Sequence, residues 1–230
     1  MTATHSVQYD IRHGDQRWSV EMQLPISDPD DLLEERESDV WIQLGFNQCA
    51  HCQLTQSRLC PVANAIDYHA KDLDGWLSHD DVAVTVKLNG GVVSNMRTSA
   101  QQVLSSILGI IVASEAACEH TRILLPMVYF HRPFATQDES IYRALANAAL
   151  IYQLSHGQGS FADFVIKKYE AIAKLNMGLV RRLQSAHPER EAQINALINL
   201  DTFAKGILFH ARHEFKTLEN LNLLFADDLS

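Results

Sequence analysis

Residues 82–116 read VAVTVKLNGGVVSNMRTSAQQVLSSILGIIVASEA. Within them the apolar period changes from two to about 3.6 residues, the switch from a pleated strand to a helix. Val82 to Leu88 alternates apolar and polar, as a strand with one buried face does. Asn89-Gly90-Gly91 supplies residues that tolerate positive φ, which a tight hairpin turn needs, and Val92–Arg97 is the return strand. Thr98 followed by Gln101 forms a capping-box pattern, predicting a helix that runs to about Ala116. Its Leu104–Ala113 segment is apolar nearly all round, which predicts a central, buried helix.

Working outward, Tyr9–Arg12 and Trp18–Leu24 flank the turn signal His13-Gly14-Asp15, a second hairpin. Val40–Phe46 alternates as a further strand, and Pro61 suits the first position of a helix over Val62–Trp76. Downstream, Thr136 and Glu139 make another capping box, opening a helix to about Ser155. His156-Gly-Gln-Gly-Ser160 then breaks the pattern, and two long helices follow, split at Pro188. In the first, Val165, Tyr169, Ile172, Asn176, Leu179 and Leu183 form a packing seam. Lys167, Lys174 and Arg181, with Lys168 and Arg182 beside them, read as its solvated face. In the second, Ile194, Leu197, Ile198, Ala204, Ile207 and Leu208 form the apolar stripe. The expected fold is α+β: a small antiparallel β region followed by a mainly helical body of four to five helices. Residues 1–97 hold the hairpins, a cysteine knuckle and one helix; residues 98–230 pack on them as one compact unit.

The net charge is −9, and residues 1–48 carry ten acids against three bases. An acidic surface repels phosphate backbones, so nucleic acid is not an expected partner. The densest run, Asp28 to Asp39, reads as a solvated segment; facing the basic stripe of another copy, it would join a homo-oligomer. The first ten residues lack a basic segment leading into an apolar one, and the longest apolar run, Ile107–Ala113, is too short to span a bilayer. A cytoplasmic protein without a membrane span is expected, and there thiols stay reduced.

Four cysteines then matter. Three fall within twelve residues, as Cys49-Ala-His-Cys52 and Cys60-Pro61, and the fourth is Cys118. A Cys-x2-Cys pair forms a knuckle that points two sulfurs at one ion. Cys60, ahead of a helix, lies where exposed N–H groups favour thiolate. Cys118, just past the buried helix, supplies a fourth sulfur, and His120 is the alternative donor. Zinc fits such a set, and a 4Fe–4S iron–sulfur cluster is the alternative occupant. A chain of 230 residues has no need of a metal to reach ordinary stability. The expected role is therefore positional, clamping the segment before the helix to the end of the buried helix.

Elsewhere, Phe130-His-Arg-Pro-Phe134 precedes the Thr136-capped helix, where His131 and Arg132 are candidate groups for an anionic ligand. Asp201 is placed to pair with Lys205 one turn on. The nucleophile elbow, phosphate loop, dinucleotide fingerprint and His-Glu-x-x-His motifs are all missing from the sequence, so no catalytic residue is named. Cys49/Cys52, Cys60-Pro61, the Thr98–Ala116 helix, Cys118-Glu-His120-Thr121 and Phe130–Phe134 together resemble the pattern of an uncharacterised family of bacterial proteins. The resemblance runs from the first hairpin to the last long helix; it implies a similar architecture and carries no activity. The sequence thus points to a zinc-stabilised, non-enzymatic interaction or regulatory domain, acting through a protein partner or small ligand. The alternatives are an iron–sulfur redox or oxygen sensor and a metal-dependent enzyme.

Overall fold

The computed structural model describes residues 5–24, 39–55 and 57–224. Both expected hairpins form: β1 (His5–His13) with β2 (Gln16–Leu24), and β3 (Asp81–Leu88) with β4 (Gly91–Ser99). Asn89 and Gly90 both take positive φ, as the two-residue turn between β3 and β4 requires. Tyr9 of β1 pairs with Val20 on one side and Val86 on the other. The hairpins thereby join into one four-stranded antiparallel sheet of order β2-β1-β3-β4.

Alternation decides which face is covered. Val7, Tyr9, Ile11, Met22, Val82 and Val86 are buried, while their sequence neighbours point to the wetter side. Helices α1 (Pro61–Ala70) and α2 (Ala100–Ser114) lie against the sheet, and α2 also packs on α6 (Glu191–Arg212). In turn α6 packs on α5 (Phe161–Ala186) along most of its length. The helix α2 is central, as its sequence demands: Leu104, Ile107, Leu108 and Ile111 are fully buried. Each such side chain contributes about 1.5–3 kcal/mol of transfer free energy.

Two apolar cores result. One lies between the sheet, α1, α2 and the facing ends of α5 and α6. The other is built by α4 (Gln137–Leu154), the start of α5 and the end of α6. The seam from Val165 to Leu183 is buried at every expected position, and Asp201 pairs with Lys205 at 2.5 Å. The Thr136 capping box is present in both directions.

Several expectations need correction. Among the described residues there are seven α-helices, more than the four or five expected; the additions are short, α3 (Leu125–Tyr129) and α7 (Glu219–Leu224). Residues 40–46 are not a strand: Val40–Ile42 form a 3-10 turn capped by Asp39, and only Gln43 bridges to Leu59. The helix expected over Val62–Trp76, α1, stops at Ala70 and continues as a 3-10 turn over Lys71–Leu73. The cap of α2 is Ser99, one residue later than expected, because Thr98 still belongs to β4. Ile198 is 40% exposed, and Arg182 is not on the solvated face at all. The acidic run, apart from Asp39, lies outside the described residues. Among the described residues no helix is long and apolar enough to cross a membrane.

Candidate metal centre

The four cysteines come from three stretches of chain, and each is positioned by local structure. Residues 43 and 59 form a bridge, reinforced by Leu44 N–H to the Arg58 carbonyl (3.0 Å) and Cys60 N–H to the Ile42 carbonyl (2.8 Å). The loop between them carries Cys49 and Cys52, and a turn closed by Cys52 N–H on the Cys49 carbonyl (2.9 Å) draws the pair together. Cys60 is the N-cap residue of α1, with Pro61 at the first helical position, as expected. Cys118 sits in the turn after α2, where its carbonyl accepts from Thr121 N–H and, at 2.8 Å, from the Thr121 hydroxyl.

All four are free thiols, and all pack against the same apolar core. They also act on one another electrically. Burial, and then the charges of Cys60 and Cys52, push the Cys49 thiol up to about 11. Burial pushes Cys118 up to about 12, with Cys60 and Cys49 again adding to the rise. Cys60 is raised by burial as well. Without a cation, burial thus favours the protonated thiol at Cys49, Cys60 and Cys118. Among the described residues no group of three or more His, Cys, Asp or Glu side chains is arranged to hold a metal ion as it stands.

Two residues of α5 complete the surroundings, and neither was legible as such in the sequence. Gly178 leaves room for Cys49: a Cβ at that position would stand 2.7 Å from the Cys49 sulfur. One turn on, Arg182 is 1% exposed. It donates to the carbonyls of Trp41 (3.1 Å), Gln43 (2.7 Å) and Leu44 (2.8 Å), which keeps residues 40–46 out of a sheet ladder. Among the described residues no carboxylate pairs with it, and its Nε has no partner. Its charge instead lowers the pKa of both Cys49 and Cys60, against the rise from burial. A buried cation without an anion is costly, several kcal/mol even after relaxation. Sequence periodicity placed Arg182 beside a solvated basic stripe; only the packing of residues 40–46 on α5 moves it inside.

His120 is engaged elsewhere. Its ring lies over that of His51, centroids 4.2 Å apart, and its Nε2 donates to the His51 carbonyl at 3.1 Å. His51 in turn donates Nε2–H to the Ala171 carbonyl of α5 at 3.1 Å. Burial, and then the neighbouring His120, hold His51 below the usual histidine range.

The structure carries His131 and Arg132 to a different place, the wall of a cavity between α2, α5 and α6. Burial, helped by the charge of Arg143, holds His131 down to about 3, so the ring is neutral. Its Nε2 is hydrogen-bonded to the Tyr9 hydroxyl (2.7 Å), which in turn is hydrogen-bonded to the Ser106 hydroxyl (2.7 Å). Arg132 reaches Glu139 at 3.4 Å.

No curated protein matches the chain, and no solved structure matches it. One family model does, over residues 15–226, which takes in β2 to β4, all four cysteines and every helix among the described residues, and leaves out β1. The chain belongs to the family described as a domain of unknown function, DUF6901.

Proposed function

We propose that the protein binds one metal ion, zinc, through Cys49, Cys52, Cys60 and Cys118, and that the ion is a structural clamp in a non-enzymatic binding or regulatory domain. One observation supports this: four thiols from three separate segments pack on one core and influence one another's charge near a buried guanidinium that pairs with no carboxylate among the described residues. Four thiolates around a divalent ion carry a net negative charge, the counter-charge Arg182 lacks. Coordination requires two changes: the thiols release their protons, and the loop bearing Cys49 and Cys52 draws in on Cys60 and Cys118. The half-buried state of the two loop cysteines leaves them free to do so. Cys118 is the fourth ligand in this proposal, because it already interacts with Cys60 and Cys49, whereas His120 spends its Nε2 on the His51 carbonyl. The clamp ties the loop before α1 to the end of α2 and to the face of α5 at Gly178.

Metal analysis of the full chain, purified without oxygen, tests the proposal. Zinc near one ion per chain, in colourless protein, is the expected result, and the Cys118→Ser variant should lose it while His120→Gln retains it. Iron with visible absorption that bleaches in air would replace zinc with an iron–sulfur cluster. Protein that takes up neither metal overturns the proposal.

A further inference from the structure

A cavity of about 450 Å³ lies where the two apolar cores meet, walled by α2, α5, α6 and residues 124–143. Its size falls within the range of small-molecule sites, and its wall is mostly apolar, with Ile110, Val128, Leu200 and Phe203 among its side chains. Two features of the backbone in that wall are held at a cost. Phe134 takes a φ of 54°, a left-handed conformation that bulky residues rarely adopt and that recurs at ligand clamps. Gly109 stands in the interior of the central helix α2, where glycine is disfavoured relative to alanine. Packing does not demand it: a Cβ there would make one ordinary contact, 3.5 Å from Leu200 Cδ2. What the bare backbone at Gly109 keeps is room in the cavity.

The polar groups of the wall narrow the occupant. Ser106 and His131 both line the cavity, and the Tyr9 hydroxyl joins them in a chain with 2.7 Å at each link. Burial keeps the His131 ring neutral, and Tyr9 takes its Nε2. The other ring nitrogen, Nδ1, has no partner among the described residues and is not sealed from water. Protons can run along the chain in either sense, which makes Nδ1 a donor in one and an acceptor in the other. A ligand hydroxyl, able both to donate and to accept, satisfies either. The charges nearby are already engaged: Arg132 reaches Glu139 at 3.4 Å, the same carboxylate acts on Arg143, and Arg143 donates to the Met127 carbonyl at 3.1 Å. A charged ligand would leave water for an apolar wall without gaining a new partner, which is costly.

We propose that this cavity binds an uncharged small molecule with an apolar body and one hydroxyl group, the hydroxyl on His131 Nδ1 and the body against Gly109, Phe134 and Leu200. The site goes beyond the metal centre and shares none of its four cysteines. It also differs from the anion expected at the His131–Arg132 pair: His131 anchors a neutral group, and Arg132 keeps to Glu139.

Titration calorimetry on the full chain tests this with four probes: phenylpropanol, propylbenzene, phenylpropanoate and phenylpropylamine, the last cationic at neutral pH. Phenylpropanol should bind, and the acid and the amine should bind about tenfold or more weakly, since each would bury an unpaired charge. His131→Phe should weaken phenylpropanol about threefold to tenfold, the worth of one hydrogen bond, while propylbenzene, which lacks the hydroxyl, binds both chains alike. Gly109→Leu fills the space and should lose phenylpropanol, whereas Gly109→Ala should keep it. The proposal is overturned if folded wild-type chain binds no phenylpropanol at millimolar concentration, or if the acid or the amine binds as tightly. It is equally overturned if His131→Phe weakens both neutral probes alike or neither, or if Gly109→Leu binds as the wild type does. Should Gly109→Leu fail to fold, amide NMR shifts of the wild-type chain decide: changes on adding phenylpropanol should centre on Gly109, His131 and Phe134, and changes confined elsewhere overturn the proposal.

Discussion

At the scale of single residues, Gly178 and Arg182 act as a pair four positions apart on α5, one leaving space for Cys49 and the other bringing charge to Cys49 and Cys60. A glycine in mid-helix ordinarily costs about 1 kcal/mol relative to alanine. Here the alanine methyl would meet the Cys49 sulfur at 2.7 Å, closer than real contacts come, so the sulfur or the loop behind it must move. Gly178→Ala should therefore leave the metal-free chain within about 1 kcal/mol of the original stability, since the propensity gain offsets the displacement. Zinc affinity, measured by competition with a chelating dye, should fall by about tenfold or more, as displaced ligands do elsewhere. Unchanged affinity would mean that Cys49 does not serve the ion from its seat on α5.

At the scale of elements, the start of α2 shows how a capping signal can be right in kind and wrong by one residue. Thr98 and Gln101 fit the pattern, as do Ser99 and Gln102. The β3–β4 ladder decides between them: Thr98 pairs with Val82 and Ser99 with Asp81, so the strand holds its extended backbone through Ser99. The Ser99 hydroxyl then accepts from Gln102 N–H at 3.4 Å, and the Thr98 side chain bonds that of Gln102 on the surface. Ser99→Ala should cost about 1 kcal/mol in a urea titration, as lost caps do. Thr98→Ala should cost no more than about 0.5 kcal/mol, the usual limit for a surface change. The reverse order would restore the earlier cap. Thr136 is easier to read because no strand competes for it.

At the scale of the whole molecule, His131 joins parts distant in sequence. Its link to Tyr9 holds the sheet, α2 through Ser106, and the turn after α3 in one hydrogen-bonded set. Because burial first, and the Arg143 charge second, hold His131 down to about 3, the unfolded chain takes up a proton near pH 6.5 that the folded chain refuses. This contribution to stability is fully present above pH 6.5 and is lost as pH falls from there toward 3. The urea midpoint should accordingly drop between pH 7 and pH 5, more than it does in His131→Gln. A ring proton of His131 itself titrating near 6.5 in the folded chain, followed by NMR, would remove the basis for this. Tyr9→Phe should cost about 1–3 kcal/mol by leaving His131 and Ser106 short of a partner.

The sequence by itself determined what depends on near neighbours. Alternation and the Asn89-Gly90 turn specified the hairpins, and the 4-3-4 seam of α5 specified its buried stripe. Pro61 and the Thr136 box marked helix starts, since caps involve atoms within one turn of each other. Tertiary structure alone decided the rest. Val40–Phe46 alternates like a strand, yet Arg182 takes the carbonyls of Trp41, Gln43 and Leu44 that a ladder would need. The same contact turns Arg182 from a surface base into a buried cation beside the thiols, a partnership 138 or more residues apart that no local period encodes. The cavity is likewise a property of packing: Tyr169 and Asn176 read as core positions, and they come to line a cavity only because two cores meet there. As for the cysteines, their spacing suggested one site, but whether Cys118 feels Cys49 and Cys60 at all depends on where the end of α2 lands relative to the loop before α1.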